Sequence, residues 1–212
     1  FVRKLEFPES WHYELNDFCK KLNITFFSSP TYLDAIRILE EIEVPLYKIA
    51  SAQIGVFPQL IERVAALNKP TLFSTGIINN DELESVINIF KKNNNSKYII
   101  LHCNSMYPTP PEKVNLSMIQ YYIDKYPKQN IGFSDHTVGT NIAKAAVAMG
   151  AEVIEKHFTL NKKFDAPDSN DFACDPTEMK KLCKEIREID LAKKRHISRK
   201  NIESDEARFK ST

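Results

Sequence analysis

The sequence is poor in glycine and lacks the glycine-rich motifs that bind phosphate. It contains five glycines among 212 residues. No GxGxxG motif follows its first predicted strand, and no GxxxxGK[ST] motif occurs anywhere in it. The nucleotide-binding versions of an α/β fold are therefore disfavoured.

The sequence also lacks an excess of charge of either sign and any long apolar run. Its 29 basic and 28 acidic residues nearly cancel, so charge gives no reason to expect a nucleic-acid partner. No apolar run approaches the roughly 20 residues that cross a bilayer, and no signal peptide is recognisable. We therefore expect a cytoplasmic protein without a membrane span.

Cysteines are few, and their spacing does not indicate a metal-binding or redox motif. The four lie apart without a CxxC motif, at Cys19, Cys103, Cys174 and Cys183. This pattern is typical of free thiols in a reducing compartment.

What the sequence does contain is a repeated alternation of short apolar runs and amphipathic helices. Strands are predicted to begin near residues 24, 46, 70, 98, 130 and 152, and a helix at about 10–22 precedes the first, Ile24–Ser28. Six consecutive βα units predict a parallel sheet, either doubly wound or a (β/α)8 barrel. A TIM barrel needs two further units, at roughly 25–30 residues each, and the chain begins at Phe1 rather than Met. We interpret residues 1–194 as strands 3–8 of a TIM barrel without its first two strands, and 195–212 as a charged tail leading toward a further domain.

Every predicted strand ends in polar residues, and barrel active sites lie at the carboxyl ends of the strands. A single serine in such a place is most often a helix cap, but the whole set is hard to explain in that way. The polar ends are Ser28-Ser29, Lys48 with Ser51, Ser74-Thr75-Gly76, His102 with Asn104-Ser105, Ser134-Asp135-His136 and Glu155-Lys156-His157.

Two histidines end neighbouring predicted strands. A strand, a crossover helix and a second strand bring His136 and His157 to the same sheet edge. A lone strand histidine is usually structural, but two at adjacent strand ends, each beside a carboxylate, suit a divalent metal with open coordination positions. His102 is interpreted as a hydrogen-bonded core histidine, and His12 and His196 are assigned no role.

Lys48 interrupts an apolar strand. A lysine that points into a barrel is costly unless it meets an anion; the alternative is an outward lysine at a strand edge. Ser51 ends the same strand and Ser74 the next, where hydroxyl and backbone N–H groups suit a phosphate or carboxylate. The predicted chemistry is a small anionic substrate beside a divalent metal.

Seven segments in order resemble the sialic acid synthase family, that is, N-acetylneuraminate synthase and its legionaminate and pseudaminate relatives. The resemblance covers roughly residues 20–190 and is most specific in SDHT and EKHFT. The segments are FFSSP (26–30), PLYKIAS (45–51), KPTLFSTG (69–76), LHCNSMYPTP (101–110), IGFSDHTVG (131–139), AVAMGAEVIEKHFTL (146–160) and APD (166–168).

The resemblance implies a metal-dependent condensation of phosphoenolpyruvate with an open-chain N-acylated amino sugar such as N-acetylmannosamine. It implies that His136 and His157 hold Mn²⁺, or alternatively Mg²⁺ or Co²⁺, which polarises the sugar aldehyde. It places Tyr107 and Asp168 on the sugar side. The phosphoenolpyruvate phosphate and carboxylate would be held by Lys48, Ser51, Ser74, Ser105 and Ser134.

The sequence departs from the family where an acid usually follows the KIxS strand, because Gln53 stands there. Glutamine does not take up a proton at neutral pH, so another acid such as Glu155 would act, the substrate would differ, or turnover would be slow. The family's first two strands and its C-terminal domain, which reaches a partner subunit in a homodimer, are also expected to be missing.

Two alternatives remain at this point. One is a catalytically weakened or non-catalytic barrel that binds a sugar or anion. The other is a different metal-dependent barrel, such as a 3-deoxy-heptulosonate or 3-deoxy-octulosonate synthase, whose metal sites recruit a cysteine; Cys103 is the only cysteine at a predicted strand end.

Overall fold

The computed structural model describes residues 7–193 as alternating helices and strands. The predicted tail at 195–212 and His196 lie outside this range. The elements are α1 (Glu9–Lys21), α2 (Leu33–Glu41), β1 (Tyr47–Ile49), α3 (Ser51–Ile54), α4 (Pro58–Ala66), β2 (Thr71–Ser74), α5 (Asn80–Lys92), β3 (Tyr98–Cys103), a short 3₁₀ helix (Pro111–Lys113), α6 (Ser117–Lys125), β4 (Asn130–Asp135), α7 (Asn141–Ala148), β5 (Val153–Lys156) and α8 (Pro176–Ala192).

The strands form one parallel sheet in the order β1-β2-β3-β4-β5. Each strand lies beside the next one in the chain, and helices connect them. The predicted parallel α/β fold is confirmed. Closure into a full eight-stranded barrel stays a prediction.

One predicted strand is wrong. The segment Ile24–Ser28 joins no sheet, so residues 7–193 contain five strands instead of the six expected. A strand needs a hydrogen-bonded neighbour as well as alternating side chains, and the backbone N–H of Ile24 instead donates to Cys19 at the end of α1. Ile24 and Phe27 are also exposed, and of the apolar residues in this segment only Phe26 packs against the core.

Helix α1 is present, but the apolar face that an amphipathic helix is expected to bury is largely exposed. Trp11 and Phe18 are 51% and 56% exposed, and the buried residue of the helix is Asn16, whose side chain donates to the carbonyl of Ile42. The 3.6-residue spacing of apolar residues predicted the helix correctly. Whether the apolar face of the helix is buried depends on which elements pack against it, and that spacing does not indicate them.

The core lies between the sheet and its helices. Tyr47, Phe73, Ile100 and Phe133 are fully buried from four successive strands. Strands buried on both faces read as near-continuous apolar runs, as β3 does from Tyr98 to Leu101. The helices contribute the buried residues Leu39, Leu60, Ile61, Leu83, Ile87 and Phe90.

Local signals fix where several helices begin. Pro58 and Pro176 occupy the first turn of α4 and α8, where a missing N–H costs nothing. Asn79 with Glu82, and Asp175 with Glu178, form reciprocal capping boxes. These signals start α5 and α8 several residues after the ends of β2 and β5.

The sheet is strongly curled, and one contact demonstrates this. Lys48 lies on β1 and Glu155 on β5, the two outer strands, yet the Lys48 Nζ is 3.4 Å from a Glu155 carboxylate oxygen. Strands lie about 4.8 Å apart, so four spacings of a flat sheet would separate these residues by about 19 Å. The curl therefore gathers the strand ends around a common cavity. No helix in the described range is long and apolar enough to cross a membrane.

Candidate active site

The carboxyl ends of the strands surround a cavity of about 330 Å³. Its lining includes two lysines, one carboxylate, two imidazoles, one thiol and several hydroxyls. The lining residues are Ser29, Lys48, Ala50, Ser51, Ser74, Cys103, Tyr107, Ser134, His136, Glu155, Lys156 and His157.

Lys48 occupies the middle of this wall. Its side chain is 9% exposed, so the alternative of an outward lysine is wrong. Its Nζ donates to Ser74 Oγ at 2.9 Å and lies near the Ile49 carbonyl at 3.4 Å. With Glu155 also 3.4 Å away, this desolvated ammonium makes one short hydrogen bond and two long contacts, so it retains the capacity to bind an anion from the cavity.

Ser51, Ser105 and Gly76 form a tight group at the ends of β1, β2 and β3. Ser105 Oγ donates to Ser51 Oγ at 3.2 Å. Gly76 has φ of +48°, and a Cβ there would lie 2.2 Å from Ser51 Cβ. Glycine is therefore required both for the backbone conformation and for the close approach of Ser51.

Glu155 links the ammonium to the β4 end of the cavity. One of its oxygens lies 3.4 Å from Lys48 Nζ, and the other accepts from Ser134 Oγ at 2.6 Å. Ser134 and Glu155 are directly paired across the β4–β5 ladder, so their side chains leave the same face.

The two imidazoles lie side by side, as the topology predicts. Their ring centroids are 5.1 Å apart. His136 Nδ1 lies 2.6 Å from the Asn104 carbonyl oxygen, and His157 Nδ1 lies 2.8 Å from an Asp168 carboxylate oxygen. When Nδ1 carries the proton toward these acceptors, each Nε2 keeps its lone pair for a ligand.

This donor set fits a divalent metal ion with open coordination positions. Two imidazoles whose Nδ1 atoms are both engaged form the usual arrangement around a catalytic ion. Within residues 7–193, no group of three or more His, Cys, Asp and Glu side chains is arranged to hold a metal. The described chain thus offers a pair of ligands and no closed structural site.

Aromatic rings enclose the histidine pair. The Tyr107 ring lies 4.1 Å from His136 and 5.7 Å from His157, and Phe172 lies 5.0 Å from His157 between ring centroids. Tyr107 remains 50% exposed, so one side of its ring faces solvent. These rings exclude water from one side of the imidazoles.

Burial shifts the pKa values of the groups around the histidine pair. Desolvation is the largest effect on the pKa of His136 and lowers it. The hydrogen bond to the Asn104 carbonyl raises this pKa, and the nearby His157 lowers it. Desolvation raises the pKa of the Cys103 thiol and of the Tyr107 hydroxyl. The lowered pKa of His136 favours the neutral imidazole, which is the form that binds a metal.

The structure brings together most of the predicted site residues but not all of them. Ser105 contacts the cavity wall through Ser51, and Asp168 does so through His157. Gln53 lies in α3, outside the lining of the cavity, and its Oε1 is buried without a hydrogen-bond partner among the described residues. The catalytic, substrate and metal roles of all these residues stay predictions.

Four residues of the site were given no role from the sequence. Ser29 Oγ and Asn104 Oδ1 are buried without partners in the described part of the chain. Asp135 and Lys156 form a buried ion pair at 2.9 Å. Their signal was present, because each lies within or beside a polar strand end, but spacing alone did not separate them from helix caps.

His102 and the cysteines behave as structural groups. His102 is buried, and its Nε2 lies 2.7 Å from the Val114 carbonyl, as expected for a core histidine. The four cysteines are free, and Cys103 Sγ lies 3.9 Å from His136 Nδ1.

Comparison with known proteins gives consistent matches. Residues 1–198 match the NeuB family. The chain is 42% identical over 193 residues to N,N'-diacetyllegionaminic acid synthase of Campylobacter jejuni, and 38% identical over 191 residues to pseudaminic acid synthase of Helicobacter pylori. Each alignment covers 90% of this chain but only 57% and 55% of the two relatives, so the chain spans little more than half their length.

A solved structure resembles the chain along nearly all of its length. This is the N-acetylneuraminic acid (sialic acid) synthetase of Leptospira borgpetersenii, solved in complex with citrate. The TM-score is 0.90 and the identity 34%, over 99% of this chain and 72% of that one.

Proposed function

Because the chain belongs to the NeuB family, we propose that it carries most of the catalytic site of a sialic-acid-type synthase. The reaction is the condensation of phosphoenolpyruvate with an N-acylated amino sugar, such as N-acetylmannosamine or a relative. The products are a nine-carbon 2-keto sugar acid and phosphate. The observation that carries this proposal is the cavity in which Lys48 faces the His136–His157 pair.

The Lys48 end of the cavity suits phosphoenolpyruvate. Its phosphate and carboxylate need one strong cation and several neutral donors in a place shielded from water. Lys48 supplies the cation, and Ser29, whose hydroxyl has no hydrogen-bond partner among residues 7–193, lines the same cavity. The remaining hydroxyls are those of Ser51, Ser74, Ser105 and Ser134. The citrate complex of the Leptospira relative is consistent with an anion site in this fold.

The histidine end suits the sugar aldehyde. We propose that the Nε2 atoms of His136 and His157 hold a divalent ion, Mn²⁺ by preference over Mg²⁺ or Co²⁺. Such an ion, when bound, polarises the aldehyde carbonyl. Asp168 orients His157, and Tyr107 forms a wall against which the sugar lies.

Glu155 lies between the two ends and is the acid–base group we assign. It accepts from Ser134 and faces Lys48, so it is held in place at the point where the two substrates meet. Carbon–carbon bond formation creates an alkoxide on the sugar that needs a proton, and the water that adds at C2 must lose one. The Glu155 carboxylate would accept the proton that the water loses and pass it to the sugar alkoxide, so that the two needs balance.

We further propose that the five strands are strands 4–8 of a (β/α)8 barrel. The polar segment around Ser29 then stands where strand 3 ends, and two more βα units close the barrel. Residues 1–194 would be catalytic domain and 195–212 a link to a C-terminal domain, in a cytoplasmic homodimer. The contact between the outer strands supports this assignment because it requires barrel-like curvature.

Phosphate release tests the function. Full-length protein with phosphoenolpyruvate, Mn²⁺ and a panel of N-acylated amino sugars should release phosphate only when a sugar is present. His136→Ala should abolish release and Mn²⁺ binding, while His12→Ala on α1 should alter neither. Absence of sugar-dependent release with every sugar in the panel contradicts the proposal.

A second candidate is a binding protein with weakened or no catalysis, and Gln53 is the observation that favours it. The amide stands where the family usually has an acid, and its oxygen has no partner in the described range. If Gln53 limits turnover, Gln53→Glu should raise it, whereas Gln59→Glu on the exposed surface of α4 should not. Wild-type protein that binds phosphoenolpyruvate without reacting, together with a gain in Gln53→Glu, would establish this second function.

A further inference from the structure

The two histidine-bearing strands stop pairing one residue before each histidine. The last paired position of the β4–β5 ladder is Asp135 opposite Lys156. His136 and His157 follow directly, beyond the last rung. Backbone ladder bonds therefore do not fix the separation of the two imidazoles, and another interaction must do so.

That last rung carries a buried ion pair. The side chains of Asp135 and Lys156 are 0% and 2% exposed, and their charged atoms are 2.9 Å apart. The other Asp135 oxygen accepts from the backbone N–H and the hydroxyl of Thr137, at 2.8 and 2.7 Å. The Lys156 ammonium also donates to the Thr137 carbonyl. It thus contacts the residues on both sides of His136 and is itself the neighbour of His157.

Other hydrogen bonds hold each histidine, but they attach the two to different loops, and the Tyr107 ring, which contacts both imidazoles, does so by packing without a directed bond. The Thr109 N–H donates to the His136 carbonyl, and the Cys174 N–H donates to the His157 carbonyl. The Lys156 network instead joins the two strand ends to each other. It is therefore the interaction placed to control the distance between the rings.

Stability alone does not account for this pair. Desolvating two charges offsets most of their attraction, and well-packed apolar residues of similar size often serve a fold equally well. Directed hydrogen bonds between charged groups, in contrast, define one geometry. We propose that the Asp135–Lys156 pair is a positioning device that sets the separation and orientation of the His136 and His157 imidazoles. Its consequence for metal affinity rests on the proposed function.

The test uses full-length protein with selectively labelled histidine and two separate readouts. The first is the NOE between the His136 and His157 rings, measured without metal. The second is the Kd for Mn²⁺ alone. The double variant Asp135→Asn/Lys156→Met removes both charges without leaving one unpaired. We expect it to lose the ring NOE and to bind Mn²⁺ about 10- to 100-fold more weakly, while its urea midpoint stays close to that of wild type.

The matched control is Glu40→Gln/Lys69→Met, which removes an ion pair of 2.7 Å at the opposite edge of the sheet. It should retain both the NOE and the Mn²⁺ affinity. If the double variant fails to fold, Lys156→Arg keeps the buried charge but moves its donors, and we expect the NOE to weaken with a loss of about 10-fold in affinity.

Two outcomes separate this inference from the proposed function. If the ring NOE persists in the double variant, or in Lys156→Arg where the double variant does not fold, the positioning role is overturned whatever the metal does. If wild-type protein does not bind Mn²⁺ but the NOE is lost in the variant, the positioning role is supported and the metal assignment fails.

Discussion

Lys48 shows how a single residue combines burial with capacity for a ligand. Its partner Glu155 is about one-third exposed, so the ion pair contributes about 1 kcal/mol or less to stability. We expect Lys48→Met to leave the urea midpoint nearly unchanged but to raise the Kd for phosphoenolpyruvate about 30-fold or more, which corresponds to about 2 kcal/mol. Calorimetric titration of the full-length protein checks this, with Lys69→Met as the control. An unchanged Kd would remove Lys48 from the anion site.

The buried His102 leads to a separate prediction about how the stability of the protein depends on pH. Burial lowers its pKa below the ordinary value, against the Val114 carbonyl, which raises it. The unfolded chain therefore binds a proton that the folded chain resists, so stability is complete above about pH 6.5 and is lost as the pH falls from there. Urea unfolding at pH 7.5, 6.5 and 5.5 should show the decline, and His102→Gln should reduce its slope. A stability that is flat or rises toward pH 5.5 would contradict the assignment.

The sequence correctly predicted the site residues whose direction follows from the alternation of side chains along a strand. Ser134 and His136 lie two positions apart, as do Glu155 and His157, so the members of each pair point to the same side, and the structure brings all four to the cavity. The Asp135–Lys156 contact depends on the register between two strands, which no local pattern encodes. The position of Gln53 depends on the turn of α3 after β1, which the sequence did not predict.

Among the elements, the β2–α5 loop carries the sharpest test. Gly76 and Gly139 both have positive φ, but a Cβ at Gly76 meets Ser51 whereas one at Gly139 meets nothing within 4 Å. Both alanine variants incur about 1–2 kcal/mol of backbone strain, and Gly76→Ala should lose about 1–3 kcal/mol more through overpacking. Urea unfolding of the pair measures the difference. Equal losses would show that the close approach of Ser51 is unimportant.

Element prediction succeeded where the pattern was long and locally complete. The strands predicted to begin near residues 98 and 130 begin at Tyr98 and Asn130. The prediction of a strand at Ile24–Ser28 was wrong because a strand exists only with a partner beside it. The expected burial of one face of α1 was wrong because burial depends on distant parts of the fold. Sequence periodicity indicates neither the pairing partner of a strand nor the neighbours that cover a helix.

At the scale of the whole molecule, the described sheet has two outer strands, β1 and β5, with no further strand paired on their outer sides. Unpaired edges and the exposed Trp11 and Phe18 on α1 favour association between chains. We predict that residues 1–212 alone are inactive and self-associate, as measured by size-exclusion chromatography with light scattering. A monodisperse monomer that melts cooperatively would contradict this.

The contact between Lys48 and Glu155 has a consequence for how the cavity responds to deformation. Its two walls belong to the strands that are farthest apart in the sheet, so the width of the cavity amplifies small changes in the twist between each neighbouring pair. A small rotation between each of the four neighbouring strand pairs breaks no ladder hydrogen bond, but the four rotations add together in the distance between β1 and β5. Affinity at the proposed anion site should therefore respond to sheet curvature, and we expect substitutions in the helix layer, far from any site residue, to weaken it while leaving every strand paired.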